Sequence, residues 1–104
     1  MDSRELYNAA NYLVSLIKWD KEWIHFGTDS QIKFNLVHEM IESYLTDKDV
    51  LLIHRRTTSR KIKKEEMGEV IKNILGKDDF QLWSISMDKV VLFNKIGVLN
   101  KGRR

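Results

Sequence analysis

The chain has no cysteine and no proline, and its five glycines are scattered over 104 residues. The lack of cysteine excludes a disulfide framework, a thiolate metal site and a cysteine nucleophile. The scattered glycines form no phosphate-cradling loop. Because no linker-like or low-complexity stretch interrupts the chain, we expect a single domain with one core, as this length favours.

Long apolar runs are missing as well. No run approaches the ~20 apolar residues that cross a bilayer, and Met1–Glu5 lacks the basic and apolar regions of a signal peptide. The composition is 42% hydrophobic and 32% charged, which suits a folded chain rather than a disordered one. We therefore expect a cytoplasmic protein with no membrane partner.

Charge is distributed unevenly along the chain, although the net charge is only +3. Residues 1–50 carry nine acidic and five basic side chains, a net charge of −4. Residues 51–104 carry six acidic and thirteen basic side chains, a net charge of +7. Such asymmetry can steer association with a charged partner.

Two helices are predicted in the first half of the chain. Asp2 and Glu5 have the spacing of a capping box, and the apolar positions that follow continue at helical spacing to Ile17. A second helix is predicted over Ser30–Leu45, with side-chain oxygens of Gly27–Ser30 suited to cap it. Between these helices, the residues before Gly27 read as a short extended segment.

A third helix is predicted over Ile62–Leu75, with Thr58 or Ser59 as its cap and Gly76 just after its end. The predicted strands are a buried one at Val50–Ile53 and a hairpin of Phe80–Ile85 and Val90–Phe93. We therefore expect an α+β domain over residues 1–100. About three helices would pack on a small, largely antiparallel sheet that ends in the C-terminal hairpin, with residues 101–104 as a basic flexible tail.

The side chains suited to catalysis are not grouped in the sequence. His25, His38 and His54 are the candidates for proton transfer near neutral pH, and they belong to three different predicted elements. His38 and Glu42 are four residues apart on one helix, a spacing that suits an ion pair and falls short of a metal motif. We expect no enzymatic activity, no metal, no cofactor and no small-molecule substrate.

The stretch His54–Lys64 holds six basic side chains, among them Arg55, Arg56 and Arg60. Three interpretations remain open: a solvated loop that leads into the third helix, a phosphate site, and a contact for an acidic protein partner. In the phosphate interpretation, nucleic acid lies along the stretch and the C-terminal cations assist. The solvated-loop interpretation leaves the lysines unexplained, because positive charge is unfavourable in the first turn of a helix.

A second unusual segment combines aromatic and acidic residues between the first two helices. Trp19 and Trp23 lie there with Asp20 and Glu22, and Asp29 follows. In one interpretation the two tryptophans close one end of the core. In the other they anchor a protein partner, because tryptophan among charges is typical of interface hot spots.

The stretch Leu82–Val98, LWSISMDKVVLFNKIGV, resembles the closing hairpin of small bacterial immunity proteins. These proteins belong to contact-dependent growth inhibition and other polymorphic toxin systems. The resemblance implies a compact cytoplasmic inhibitor without a cofactor, which binds one secreted toxin domain, often a nuclease, and blocks its active site. It transfers no contact residue to this chain, because such families share no contact motif.

The leading hypothesis is therefore an immunity protein that binds and neutralises a cognate toxin domain. A basic toxin would be contacted by the acidic and aromatic set Trp19, Asp20, Glu22, Trp23 and Asp29. An acidic toxin would instead meet Arg55, Arg56 and Arg60. The alternative hypothesis is a nucleic-acid-binding module that uses the basic stretch 54–64.

Overall fold

The computed structural model describes all 104 residues as three α-helices and seven β-strands. The helices are α1 (Ser3–Leu13), α2 (Phe34–Tyr44) and α3 (Lys64–Lys72). The strands are β1 (Lys18–Trp19), β2 (Ile24–His25), β3 (Asp49–Ile53), β4 (Arg60–Lys63), β5 (Phe80–Trp83), β6 (Lys89–Asn94) and β7 (Val98–Arg103). The predicted α+β class is confirmed. None of the helices combines the length and the apolar character that a membrane crossing requires.

All seven strands belong to one antiparallel sheet with the order β1-β7-β6-β5-β3-β4. β2 also pairs with β7, so that β1 and β2 are two short segments of the same edge. β5 and β6 form the predicted hairpin, in which Phe80 lies opposite Phe93 and Trp83 opposite Val90. The other edge of the sheet is β4, which pairs only with β3.

The sheet is covered by helices on both faces. A larger apolar cluster lies between the sheet and helices α2 and α3, and a smaller one lies between the sheet and α1. β3 contributes Val50 and Leu52 to the larger cluster, and Leu51 and Ile53 to the smaller one. A strand that is buried on both faces needs apolar side chains at every position, which explains the uninterrupted apolar run.

Helix α1 begins with the predicted capping box: the Asp2 carboxylate accepts the Glu5 N–H, and the Glu5 carboxylate accepts the Asp2 N–H. The helix ends at Leu13 and continues as a short 3-10 turn. At its start, the Ser3 hydroxyl donates to the Arg56 carbonyl over 2.6 Å. This bond fastens α1 to the connection between β3 and β4.

Helix α2 begins later than predicted, at Phe34 and not at Ser30. Asp29–Gln31 form a separate 3-10 turn. The Lys33 N–H donates to the Phe26 carbonyl over 2.7 Å, which closes a loop over the residues that were expected to cap the helix. No side chain caps α2, so the predicted cap in residues 27–30 is wrong.

The predicted start of the third helix is also wrong, because Ile62 belongs to strand β4. It lies opposite Val50, and its side chain is buried in the larger cluster. The chain turns into α3 only at Lys64, whose N–H donates to the Lys48 carbonyl over 2.8 Å. Since the residue before the helix is Lys63, neither Thr58 nor Ser59 caps it. Gly76 lies beyond the helix end at Lys72, in the left-handed conformation with φ of 79°.

The prediction of a flexible tail at residues 101–104 is wrong. Lys101, Gly102 and Arg103 belong to β7, which pairs with β6 along its length and with β1 at this end. Gly102 is buried, and a methyl group at this position would collide with the side chains of Ile17 and Trp19. Glycine therefore allows Trp19 to lie directly over the strand, and this packing holds the C-terminal residues in the sheet.

Candidate interaction surfaces

The basic stretch forms the β3–β4 hairpin, and buried Ser59 closes its turn. The Ser59 hydroxyl donates to the Arg55 carbonyl over 2.7 Å and accepts the His54 N–H over 3.2 Å. The Ser59 N–H donates to the Ser3 hydroxyl over 2.9 Å. The hydroxyl that was expected to cap a helix therefore closes a hairpin and joins it to the start of α1.

His54 and Asp78 join the same turn to the loop between α3 and β5. His54 Nε2 donates to Asp78 Oδ2 over 2.9 Å, and Nδ1 lies 3.3 Å from the Thr58 hydroxyl. The His54 side chain is only 12% exposed. With the ring proton on Nε2, both nitrogens are occupied within the chain. The resulting hydroxyl–imidazole–carboxylate series fastens the hairpin to the rest of the domain.

The three arginines of the hairpin have different environments. Arg55 Nη2 donates to Asp78 Oδ2 over 3.2 Å and so forms an ion pair within the chain. Arg60 Nη1 donates to the Thr58 carbonyl over 3.3 Å and supports its own turn. The Arg56 side chain makes no polar contact within the chain. The structure thus brings the three predicted residues onto one exposed hairpin but leaves only Arg56 free.

Asp78 is the acidic partner that organises this region. Its pKa lies below the ordinary value, first because His54 donates a hydrogen bond to it, with smaller contributions from the positive charge and hydrogen bond of Arg55. The role of Asp78 was not predicted, because Asp78 lies more than 20 residues from both His54 and Arg55 in the sequence. No local pattern connects the three.

The lysines of the hairpin lie on an edge strand. Lys61 and Lys63 are exposed, whereas Ile62 between them is buried. Because no strand pairs with the outer side of β4, its backbone N–H and C=O groups are open to a further strand. Charged side chains, lysine above all, are the common protection of such edges against association. Edge protection therefore accounts for these lysines without a ligand.

The acidic and aromatic set is divided by the fold. Trp19 packs against the smaller apolar cluster, where it covers Gly102, so that it belongs to the core as one interpretation predicted. Trp23 does not share this role, because its side chain is 46% exposed. Asp29 lies apart, in the 3-10 turn after Gly27, with φ of 55°.

The remaining three members lie in an exposed loop, residues 20–23, between β1 and β2. The Asp20 N–H donates to the Lys101 carbonyl over 2.9 Å, and Asn100 Nδ2 donates to the Asp20 carbonyl over 3.2 Å. The Asp20 carboxylate lies 3.8 Å from the Lys101 ammonium. Glu22 makes no ion pair. The loop therefore presents Trp23 and one free carboxylate from a backbone that β7 holds at both ends.

A second basic surface crosses β6, β7 and β1, and it was not predicted. Lys89 and Lys18 both lie opposite Arg103, on either side of it, and directly opposite side chains share one face of the sheet. Lys101 is on the same face, because the Lys89 and Lys101 ammonium groups lie 5.3 and 5.4 Å from the centre of the Tyr44 ring. We call Lys18, Lys89, Lys101 and Arg103 the basic row.

The acidic groups near the basic row neutralise it only in part. The ion pair between Lys101 and Asp20 is the one that the row makes. Asp88 is adjacent to Lys89 and attracts it without forming an ion pair, and its carboxylate accepts the Ser84 and Ser86 hydroxyls over 2.6 and 2.7 Å. These two bonds are the main reason that the pKa of Asp88 lies below its ordinary value.

The basic row was not predicted, because its members come from three strands that are far apart in the sequence. Lys101 and Arg103 belong to the residues predicted as a flexible tail. The one local signal is the alternation of Lys101, Gly102 and Arg103, which has the period of a strand. The pairing of Arg103 with two further cations is a property of the sheet register alone.

No group of three histidine or acidic side chains is close enough to hold a metal ion. His38 and Glu42 form the expected pair on the exposed face of α2, with 3.8 Å between Nε2 and Oε1. A groove of about 320 Å³ lies beside α1. Its polar lining includes Asn11, Gln81 and Asn94, together with His54 and Asp79.

Comparison with protein-family models, with curated proteins and with solved structures found no match for the chain. The fold defines it as a single-domain α+β protein with one antiparallel sheet between helices. Proposals about its function therefore rest on the residues and surfaces described above.

Proposed function

We propose that this chain is a cytoplasmic immunity protein that binds a cognate bacterial toxin domain and occludes its active site, without enzymatic activity of its own. The proposal starts from the resemblance carried by Leu82–Val98. These residues form the end of β5, the whole of β6 and the first residue of β7. The strand residues of this stretch build the centre of the sheet, and we assign the contact with the toxin to residues outside the stretch.

The observation that supports the proposal most is the exposed Trp23 in the loop of residues 20–23. A large aromatic side chain that is 46% exposed gains apolar burial on binding, and tryptophan is the residue most enriched at interface hot spots. The hydrogen bonds of Asp20 to β7 fix the loop beforehand, so that less conformational entropy is lost on association. Glu22 adds a free carboxylate for a basic group of the partner.

The first experiment measures the affinity of the full chain for a toxin domain encoded beside its gene, by isothermal titration calorimetry. We expect Trp23→Ala to weaken binding by about 30-fold or more, the loss that a hot-spot side chain gives. Tyr12→Ala is the matched control, because Tyr12 is an exposed aromatic residue of α1, 69% exposed, outside the loop. It should change the affinity less than threefold. Equal effects of the two variants would contradict the assignment to Trp23.

Charge reversal then decides the sign of the partner's surface. Glu22→Lys should weaken binding to a basic toxin, with most of the effect in the association rate. Arg56→Glu is the corresponding change on the hairpin, at the arginine that makes no polar contact, and it should weaken binding only if the toxin is acidic. If neither reversal changes the affinity, both surfaces are excluded as toxin contacts.

A further inference from the structure

The basic row places positive charges opposite one another at a cost to the fold. The Arg104 N–H donates to the Asp88 carbonyl over 2.9 Å. Because hydrogen-bonded and non-hydrogen-bonded pairs alternate along an antiparallel ladder, the next pair, Lys89 and Arg103, is a non-hydrogen-bonded one. The Cα atoms of such pairs are the closer ones. Lys18 lies opposite Arg103 on the other side. Like charges in directly opposite positions are destabilising. A sheet does not need such an arrangement, so it points to an anionic ligand.

We propose that the basic row binds the phosphate backbone of nucleic acid, without reading its bases. The row would act as a surface of point charges that displaces the counterions of two or three successive phosphates. This proposal is independent of the toxin proposal, because it concerns different side chains and a different ligand.

The Tyr44 ring holds two lysines of the row in place, which favours contact with phosphates over base stacking. The ring lies near the ammonium groups of Lys89 and Lys101, which restricts both flexible side chains through cation–π attraction. Its hydroxyl donates to the Gly102 carbonyl over 2.7 Å. Burial raises the pKa of Tyr44, so the hydroxyl keeps its proton and adds no negative charge to the surface. With the ring occupied in this way, contacts are limited to phosphates.

The composition of the row favours phosphates over the acidic face of a protein. Three of its four members are lysines, and lysine is depleted at protein–protein interfaces. None of the large apolar side chains that the chain exposes belongs to the row, so it contains no anchor of the kind a protein interface needs. Lysine as a compact point charge is a common phosphate ligand.

The dimensions of the row match a short piece of one strand. The Cα atoms of Lys89 and Arg103 are about 4.5 Å apart, and those of Arg103 and Lys18 about 5.5 Å apart. The three positions therefore span about 10 Å across the sheet. One strand of a duplex advances about 3.4 Å per phosphate along its axis, so about three phosphates fit. The hairpin arginines lie at the other end of the strands, and β7 is separated from β4 by three strands. One short ligand therefore engages the row alone.

The test measures binding of a fluorescently labelled oligo-dT of about four nucleotides, which carries about three phosphates and is too short to reach the hairpin as well, by anisotropy, at salt concentrations from about 50 to 200 mM, where phosphate contacts respond steeply. We expect Lys89→Gln/Arg103→Gln to lower the affinity at least tenfold at the lowest salt. The slope of log Kobs against log[salt] should become less negative by about 1.4, or about 0.7 for each contact removed. The matched control is Arg56→Gln/Arg60→Gln, which removes the same charge from the hairpin and should lower the affinity less than threefold.

Three outcomes would overturn the proposal. The first is no binding by the unmodified chain at the lowest salt, and the second is a larger loss in the hairpin variant than in the row variant. The third is an affinity for polyglutamate that equals the affinity for the oligonucleotide and is lost in the row variant, which would assign the row to an acidic protein. Circular dichroism of both variants establishes that each is folded, so a lost affinity reports on the surface.

Discussion

At the scale of single residues, Asp78 is the acidic side chain that connects the β3–β4 turn to the loop before β5. Its Oδ2 atom accepts hydrogen bonds from both His54 and Arg55, over 2.9 and 3.2 Å. Through them it holds the β3–β4 turn against the loop before β5. The ion pair with Asp78 also offsets part of the positive charge of Arg55 at this turn.

We predict that the contribution of Asp78 to stability is lost in acid. Its pKa is lowered in the folded state, chiefly by the His54 hydrogen bond, so between the folded and the ordinary value the unfolded chain binds more protons. The contribution is therefore complete above the ordinary aspartate pKa of about 3.9 and disappears as the pH falls through the lowered value. At pH 7, Asp78→Asn should melt at a lower temperature than the unmodified chain, and this gap should shrink below about pH 4.

Thermal unfolding followed by circular dichroism from pH 7 to pH 2 measures this gap. Asp29→Asn is the control, because Asp29 is exposed and its side chain makes no hydrogen bond or ion pair. Its melting temperature should follow that of the unmodified chain at every pH. A gap for Asp78→Asn that is constant down to pH 2 would show that the carboxylate charge has no part in fastening the turn.

At the scale of elements, β4 combines a buried and an exposed side. Ile62 fixes the strand in the larger cluster, and Lys61 and Lys63 face solvent on the other side of the chain. We predict that Lys61→Val/Lys63→Val causes concentration-dependent association, because a flat apolar edge is a template for another strand. Sedimentation velocity of this variant and of the unmodified chain measures the effect.

Replacing the two lysines with glutamates tests whether any charge protects the edge or only a positive one. Lys61→Glu/Lys63→Glu keeps two charges on the edge and should sediment like the unmodified chain. If the valine variant also sediments like the unmodified chain, the edge needs no charge for protection, and edge protection no longer accounts for the lysines. Association of the glutamate variant as well would mean that the protection requires a positive charge.

The sequence predicted those elements whose patterns are local. The capping box of α1, the doubly buried run of β3 and the β5–β6 hairpin are confirmed, since each depends on neighbouring residues. β4 was missed because Ile62 also fits the apolar stripe of the helix that follows, and four residues are too few to establish a period. Ile62 is in a strand because it pairs with Val50 across the hairpin, a contact that the local sequence does not reveal.

At the scale of the whole molecule, the first and last parts of the chain form one edge of the sheet. β1 and β2 depend on β7 for all their pairing. We predict that removal of residues 101–104 destabilises the domain by on the order of 3–5 kcal/mol, because several backbone hydrogen bonds are lost and Trp19 is uncovered. Removal of Arg104 alone costs about 1 kcal/mol, since one ladder hydrogen bond is lost.

Urea unfolding of the two shortened chains, followed by tryptophan fluorescence, gives both free energies. A flexible tail would leave the free energy of unfolding unchanged in both cases. Such a result would contradict the placement of Lys101 and Arg103 in β7 and, with it, the existence of the basic row as a fixed surface.

The candidate surfaces were less predictable than the fold, because they depend on how the whole sheet is assembled. The exposed loop with Trp23 was recognised from its composition, although its neighbour Trp19 was assigned to the same set and packs in the core. The basic row requires the register of three strands whose residues lie far apart in sequence. Charge counts along a chain cannot report which cations become neighbours.

The pairing of β1 and β2 with β7 also has a consequence for the order of folding. The hydrogen bond between Asn100 and Asp20 joins residues 80 positions apart, so almost the whole chain must be closed into a loop before it forms. Contacts of such separation slow folding, whereas the β5–β6 hairpin closes locally. During synthesis, the segment that contains Trp19 and Trp23 leaves the ribosome before β7, so β1 and β2 have no pairing partner until β7 is made.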